Sequence, residues 1–310
     1  MQESNITSIT DFILLGFQSL QSFRTISLFI LLVIYSMTVC GNLLIITLVF
    51  YSKNLQTPMY LFLTQLSLSD IMLTTDIIPN MLHTIVNKVG TISFVGCITQ
   101  FYFFVVTESS ECLLLTVMSY DRYLAICNPL HYTCIMDSIL SIKLIIISWL
   151  LSFSMPLIDT VTLGLLYFCG PQIIDHFFCD YPPLIVLSCS DTSVLQLEVI
   201  FLSFPLVILP FILIIVSYIY IIQAILRLSS FTKRQKAFST CSSHLTIVSI
   251  FYTTLFCIYV LPTRGQSRSI SKVLSLFYTV VTPLINPIIY SLRNKDVKIA
   301  FEKFICKIAL

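Results

Sequence analysis

Apolar residues along this chain come in long blocks, without the every-other-residue rhythm of a half-buried strand. Seven blocks stand near residues 26–50, 58–84, 94–122, 139–161, 195–226, 237–261 and 270–291. Each is long enough for a helix to cross a bilayer, which takes about 20 mostly apolar residues. Transmembrane barrel strands are about 9–11 residues long and alternate, and unsatisfied backbone in lipid excludes other spanning structures. The pattern therefore predicts an all-α membrane protein, a seven-transmembrane-helix bundle (26–291) with short connections, an N-terminal segment (1–25) and a tail (292–310). Composition agrees: 57% of residues are hydrophobic and 10% charged, against about 25% charged in soluble chains, and the mean hydropathy is +0.95.

Lys and Arg set the orientation, because positive residues near span ends are retained on the cytoplasmic side. With the N-terminus outside, the inner side carries Lys53, Arg122, Lys143, Arg227, Lys233, Arg234, Lys236, Arg293, Lys295, Lys298, Lys303 and Lys307. The outer side carries Arg24, Lys88, Arg264, Arg268 and Lys272, so the split is 12 against 5 of the 17. An extracellular N-terminus and a cytoplasmic C-terminus follow. The first 25 residues lack a basic start and an apolar core, so no cleavable signal peptide is expected and the first span directs its own insertion. Asn5-Ile6-Thr7 is then an extracellular glycan acceptor pattern at Asn5. In the tail, 294–308 reads as a short amphipathic helix with Phe301, Phe304 and Ile305 toward lipid and Cys306 as an acylation candidate. The inner basic residues suit acidic membrane lipid; the net charge of +2 is uninformative, and no nucleic-acid partner is expected.

The eleven cysteines sort by side. Cys97, Cys169, Cys179 and Cys189 fall on the oxidising face, an even set that suggests two disulfides with three pairings open. Cys40, Cys112, Cys241 and Cys257 read as small buried thiols.

Ionisable residues at membrane depth are costly and mark functional positions. Asp70 lies 12 residues in from Pro58, and Glu111 lies 11 residues before Arg122. At 1.5 Å per residue both are roughly 16–18 Å from the inner boundary, so they can meet across the second and third spans. Two close carboxylates either share a proton or hold a cation between them. Glu108, one turn further out, either reaches the floor of a ligand chamber, where it would favour a basic or hydroxylated ligand, or joins the Asp70 and Glu111 network. Asp121 offers the compensation that the permanent charge of Arg122 needs near the membrane boundary. That pair is either a switch or a static anchor. Pro287 removes a backbone donor and predicts a kink in the seventh helix.

These residues lie in segments that, together and in order, resemble one family over nearly the whole chain. They are Leu14-Leu-Gly-Phe17, Gly41-Asn42, Pro58-Met-Tyr-Leu-Phe-Leu63, Leu66-Ser-Leu-Ser-Asp70, Ile92 to Cys97, and Met118-Ser-Tyr-Asp-Arg-Tyr-Leu-Ala-Ile-Cys127 with Asn128 to Tyr132. They continue with His176-Phe-Phe-Cys179-Asp180, Ser217-Tyr218, Lys236 to His244, and Pro283-Leu-Ile-Asn-Pro-Ile-Ile-Tyr290 to Asn294. The chain resembles an olfactory (odorant) receptor of the rhodopsin-like G-protein-coupled class. Ser119, where that family usually has Ala, and Leu124, where it often has Val, are conservative departures. Phe251-Tyr252 replaces the tryptophan and proline of many rhodopsin-like receptors, as in other olfactory receptors.

The resemblance implies disulfides Cys97–Cys179 and Cys169–Cys189. It implies a G-protein coupling switch comprising Asp121, Arg122, Tyr123, Tyr218, His244, Asn286, Pro287 and Tyr290. It implies no tightly held cofactor beyond a sodium ion at Asp70 and Glu111. Counting helical turns from these anchors gives a ligand chamber of Phe104, Val105, Glu108, Ser109 and Cys112 on the third span and Leu202 and Leu206 on the fifth. Tyr252, Leu255 and Tyr259 on the sixth span and Leu276 and Thr279 on the seventh complete it. For each apolar member taken singly, helix packing explains its character better than ligand contact does, and the weight lies in their convergence. The implied partners are a small, mostly apolar volatile molecule, a stimulatory G protein of the olfactory type that raises cyclic AMP, membrane lipid, and an accessory protein for trafficking. The implied location is the plasma membrane.

Other classes fit poorly. Transporters show repeated halves and broken helices, and channels show polar pore stripes or charge rings. An enzyme is not expected, because neither His-Glu-x-x-His nor Gly-x-Ser-x-Gly occurs. The nearest alternative is a rhodopsin-like receptor for an internal small metabolite, expressed outside olfactory tissue.

Overall fold

A computed structural model describes residues 10–17, 23–227, 230–260, 268–293 and 295–308. Asn5 lies outside them. Seven helical spans cross the bundle. The first four are α1 (Arg24–Tyr51), α2 (Pro58–Asn87), α3 (Phe94–Cys127) and, after the short α4 (Tyr132–Ile135), α5 (Ser138–Gly164). The short α6 (Tyr181–Leu187) precedes the fifth span, which is α7 (Ser193–Ser203) continued through a wide turn (Phe204–Ile208) into α8 (Leu209–Leu226). The sixth is α9 (Phe231–Leu255) with a wide turn at Phe256–Val260. The seventh is α10 (Arg268–Leu276), a wide turn at Phe277–Val281, and α11 (Thr282–Arg293); α12 (Lys295–Ile308) follows.

Local chemistry fixes the ends. Pro58 occupies the first turn of α2, where its missing donor costs nothing. Ser93 caps α3 by accepting from the Gly96 amide at 3.1 Å, and Asp137 caps α5 through the Leu140 amide at 2.7 Å. The third span runs five residues past its expected end at 122, stopping at Cys127. It stops there because Asn128 precedes Pro129 and is driven from the helical region, with ψ 54°. Asp121 and Arg122 thus sit within a helix, not at its tip. The wide turns were not foreseen; each inserts a residue and re-aims the side chains beyond it.

Burial ranks the spans. Of its most apolar window, 72% is buried in α3 but only 17% in the fourth and fifth spans, so α3 is the central post and the latter two face lipid. At their outer ends the spans carry a small sheet that the helical pattern did not announce. β1 (Asp11–Leu14) pairs antiparallel with β2 (Gly90–Ser93) and parallel with β3 (Ile173–Ile174). Phe12 and Leu14 alternate inward, but four residues are too few to separate such a strand from a loop by rhythm.

Two expectations at the surface need correction. Cys112 and Cys241 are buried, but Cys40 is exposed and Cys257 half-buried, because an apolar residue in a lipid-facing span needs no protein around it. On α12 the inward face is Val297, Ala300 and Phe304. Phe304 packs edge-on against Tyr51, with centroids 5.3 Å apart, so it faces the first span, whereas Phe301 and Ile305 are exposed.

Candidate functional site

Along α3 the residues Thr107, Glu108, Ser109, Ser110 and Glu111 are all buried, an expensive run that other polar groups must satisfy. Ser110 does so against the second span, its hydroxyl 2.6 Å from that of Ser69. At the adjacent positions, the Asn286 side-chain amide donates to both oxygens of Asp70 at 3.1 Å and to Glu111 at 3.4 Å. Asp70 and Glu111 therefore meet as their depth suggested, through an asparagine from the seventh span. Asn286 Oδ1 is buried without a partner. No group of three or more His, Cys, Asp or Glu side chains suited to a metal occurs among the described residues. A monovalent cation here would rest on the two carboxylates, with the Asn286 amide turned so that its oxygen replaces its nitrogen toward them, an all-oxygen set that fits sodium.

The adjoining proline explains a motif in the first span. Lacking an amide hydrogen, Pro287 leaves the Pro283 carbonyl without its helical donor, and Asn42 donates to that carbonyl at 3.2 Å. A Cβ on Gly41 would stand 3.3 Å from the Pro287 ring, so the neighbouring glycine lets α1 approach. The break in regular geometry falls at Phe277–Val281, ahead of Pro287, which remains inside α11.

The expected chamber residues fall at the seam of two apolar clusters. Phe104, Val105 and Leu276 join the outer one, with Phe177, Phe178 and Tyr278; Cys112, Tyr252 and Leu255 join the inner one. Glu108 and Ser109 lie between them on α3, and both are buried. Leu206 is buried and Leu202 half-buried beside the wide turn of the fifth span. Thr279 is buried with its hydroxyl on the Ser275 carbonyl at 2.7 Å. The Tyr259 ring is 43% exposed at the outer rim, while its hydroxyl donates to Asp180 at 3.0 Å.

Above the seam lies a stapled cover. Disulfides join Cys97 to Cys179 and Cys169 to Cys189. Gln100 donates to the Asp76 carbonyl at 2.9 Å and accepts from the Cys179 amide at 3.0 Å, tying the loop to α2 and α3. Gly16, at φ +56°, makes the left-handed turn that a side chain would oppose. That turn delivers the Gly16 carbonyl to the Lys272 ammonium at 2.8 Å, and Lys272 also holds Asp175 at 2.5 Å. His176 stacks on Phe177 with centroids 4.7 Å apart; burial first, then nearby Lys272, lower its pKa to about 3. Burial raises Asp180 to about 6 against the lowering effect of the Tyr181 amide and Tyr259 hydroxyl.

At the inner end, the Arg122 Nε donates to Asp121 at 2.9 Å, and the Tyr132 hydroxyl donates to the other Asp121 oxygen at 2.8 Å. Tyr218 and His244 join the fifth and sixth spans, hydroxyl to Nδ1 at 2.8 Å with stacked rings. Tyr290 is buried with its hydroxyl unpartnered. Tyr123 packs edge-on against Tyr220 at 6.0 Å.

Residues 31–308 match the olfactory receptor family. Among relatives, olfactory receptor 10A7 of Homo sapiens is 48% identical over 97% of this chain and 95% of its own length. Olfactory receptor 10A4 of Homo sapiens is 45% identical, over 98% of this chain and 97% of its own length. Olfactory receptor 5M5 of Mus musculus is 44% identical, over 98% and 96%. The chain belongs to the olfactory receptor family. It is accordingly a seven-span, multi-pass protein of the plasma membrane, a non-enzymatic receptor with a small-molecule ligand and a G protein as partners.

In this olfactory receptor, turn counting missed Asp180, Tyr278, Gln100 and Lys272. Asp180 directly follows a disulfide cysteine, and the resemblance implies a role for Cys179 alone in that segment. Tyr278 is fully buried and packs on Phe104 at 5.7 Å. A 3.6-residue count selects Leu276 and Thr279, whereas the wide turn at Phe277–Val281 brings Tyr278 inward. Lys272 looked like one more outer charge.

Proposed function

We propose that this receptor detects small, mostly apolar volatile molecules at the seam around Glu108 and passes the signal to a stimulatory G protein of the olfactory type, raising cyclic AMP. The observation that carries this reading is the Asp121–Arg122–Tyr132 cluster, built on the buried Asp121 carboxylate, at the inner end of the central helix of an olfactory receptor. A ligand that binds one arrangement of the bundle better than another shifts the population by its differential affinity. The residues positioned to relay that shift are the Tyr218–His244 bond between the fifth and sixth spans and Arg122, which exchanges Asp121 for the G protein. Asp70, Glu111 and Asn286 would hold sodium, whose charge would offset the two carboxylates in the resting arrangement. A groove of about 320 Å³ between α1, α11 and α12, lined by Met37, Gly41, Leu44, Pro287 and Phe301, supports contact with membrane lipid.

The deciding experiment measures cyclic AMP in cells carrying the receptor, the olfactory G protein and a trafficking accessory protein, against volatile amines, alcohols, aldehydes, acids and esters. A ligand-dependent rise that Arg122→Ala abolishes at equal surface expression is expected. A full response from Arg122→Ala would sink the switch. For sodium, the purified receptor should gain thermal stability with added sodium chloride over choline chloride, and Asp70→Asn should lose that gain.

A further inference from the structure

Glu108 is 8% exposed, and both of its carboxylate oxygens are buried without a hydrogen-bond partner. A carboxylate so placed must stay neutral or find a cation, because an unpaired buried charge costs several kcal/mol. The donor one turn further in does not serve it: Asn286 reaches Asp70 and Glu111 only. The groups within its electrostatic reach are Asp70, Glu111, Asp180, Cys112 and the tyrosines 252, 259 and 278, all acidic or neutral. Lys272 is committed to Gly16 and Asp175. Arg122 lies 14 residues along the same helix, about 21 Å away.

The Tyr252 hydroxyl turns to the Cys112 thiol and the Tyr278 hydroxyl to that of Tyr259; both oxygens are buried and keep lone pairs free to accept. Two phenol oxygens thus stand within the electrostatic surroundings of the Glu108 carboxyl, and Phe104, Leu206 and Leu255 are buried on the third, fifth and sixth spans. We propose that this receptor is tuned to small primary amines, with the protonated nitrogen of the ligand as the missing partner of Glu108 and of the Tyr252 and Tyr278 oxygens. An ammonium has three donors and no acceptor, so it can serve the carboxylate and both phenol oxygens at once, and the aromatic faces of Phe104 and Tyr278 favour a cation further. An alcohol offers one donor and no charge. A carboxylate ligand meets Glu108 and Asp180 with its own sign. This proposal rests on the odorant-receptor reading above and names its ligand class.

The test compares primary aliphatic and benzylic amines with their isosteric alcohols and acids, using two readouts. The first is cyclic AMP in cells; the second is the unfolding midpoint of the purified full-length receptor in lipid nanodiscs, which needs no G protein. Charge-assisted hydrogen bonds predict amines roughly ten- to a hundredfold more potent than the matching alcohols, with acids inactive. Glu108→Gln should erase that margin, bringing each amine down to the potency of its matching alcohol measured in the same variant, and Glu108→Asp should keep the amine preference at lower potency. Equal potency of amines and alcohols, stabilisation by acids, or an unchanged ranking in Glu108→Gln at normal surface level would each overturn the proposal. So would a panel in which no amine shifts the midpoint. Amine stabilisation without cyclic AMP would uphold the proposal and refute the coupling reading instead.

Discussion

The outer and inner ends of the same seven spans are held by different kinds of bond. Outside, two disulfides, a three-stranded sheet, the Gln100 clamp and the Lys272 ion pair tie the N-terminal segment, the long loop and the tops of the spans into one cover. Inside, the fifth and sixth spans meet through the Tyr218–His244 hydrogen bond, and Arg122 is held by the residue next to it. Covalent cross-links act over the whole transition from the unfolded chain, whereas a single buried hydrogen bond is worth about 1 kcal/mol net. An effect of that size can be reversed by the differential affinity of a small ligand; a disulfide cannot. The difference assigns the outer end to shaping the site and the inner end to changing state.

The harshest way to break this comparison is to unstaple the cover. Cys97→Ser opens a loop spanning 82 residues, for which loop-closure entropy gives about 4 kcal/mol. Little mature receptor should then reach the surface by flow cytometry. Cys169→Ser opens only 20 residues and should cost about 3 kcal/mol, leaving more. Normal surface levels and ligand response in Cys97→Ser would show that the cover is not what holds the outer end together.

The two ends were also unequally legible. Spans were plain because lipid admits only long apolar helices, and the ends marked by Pro58 and Asn128-Pro129 obey local rules. The inner pair Asp121–Arg122 is adjacent in sequence, so its contact needed no fold. Asp70 and Glu111 were readable in depth, but their donor Asn286 was not, since which span supplies it depends on rotation about the helix axes. The outer end hid most. Its sheet joins residues 11–14 to 90–93 and 173–174, and Gly16 meets Lys272 across 256 positions. No local rhythm encodes such pairings. The wide turns defeated counting for a related reason, because one inserted residue rotates all that follows and brings in Tyr278.

A gentler test concerns the inner end. His244→Phe keeps an aromatic ring stacked on Tyr218 but removes its hydrogen bond, leaving a buried hydroxyl unpaired. The arrangement seen here should lose about 1 kcal/mol, roughly a fivefold shift in population. If that arrangement is the resting one, ligand-free cyclic AMP rises severalfold at equal surface expression. Basal signalling at or below that of the native receptor would mean that the bond belongs to the signalling state, and the roles of the two ends would need redrawing.

The smallest effect sharpens the comparison through pH. His176 sits in the cover with a folded pKa of about 3 against an ordinary 6.5, chiefly through burial and secondarily through Lys272, while Asp175 acts in the opposite direction. Between those values the unfolded chain binds the extra proton and the folded one does not, so stability rises with pH across that window and is lost as pH falls through it. Going from pH 7.5 to 5.5 should cost roughly 1–1.5 kcal/mol at this group, a few degrees in unfolding midpoint. Asp180, raised to about 6, works in the opposite sense below that pH, so the native profile alone would mix the two. The difference between native receptor and His176→Gln isolates the histidine: glutamine does not titrate, and the native protein should lose relative stability steadily below about pH 6.5. A pH-independent difference would mean that His176 is protonated or solvated in the folded receptor, and that the cover is looser around its aromatic stack than its burial requires.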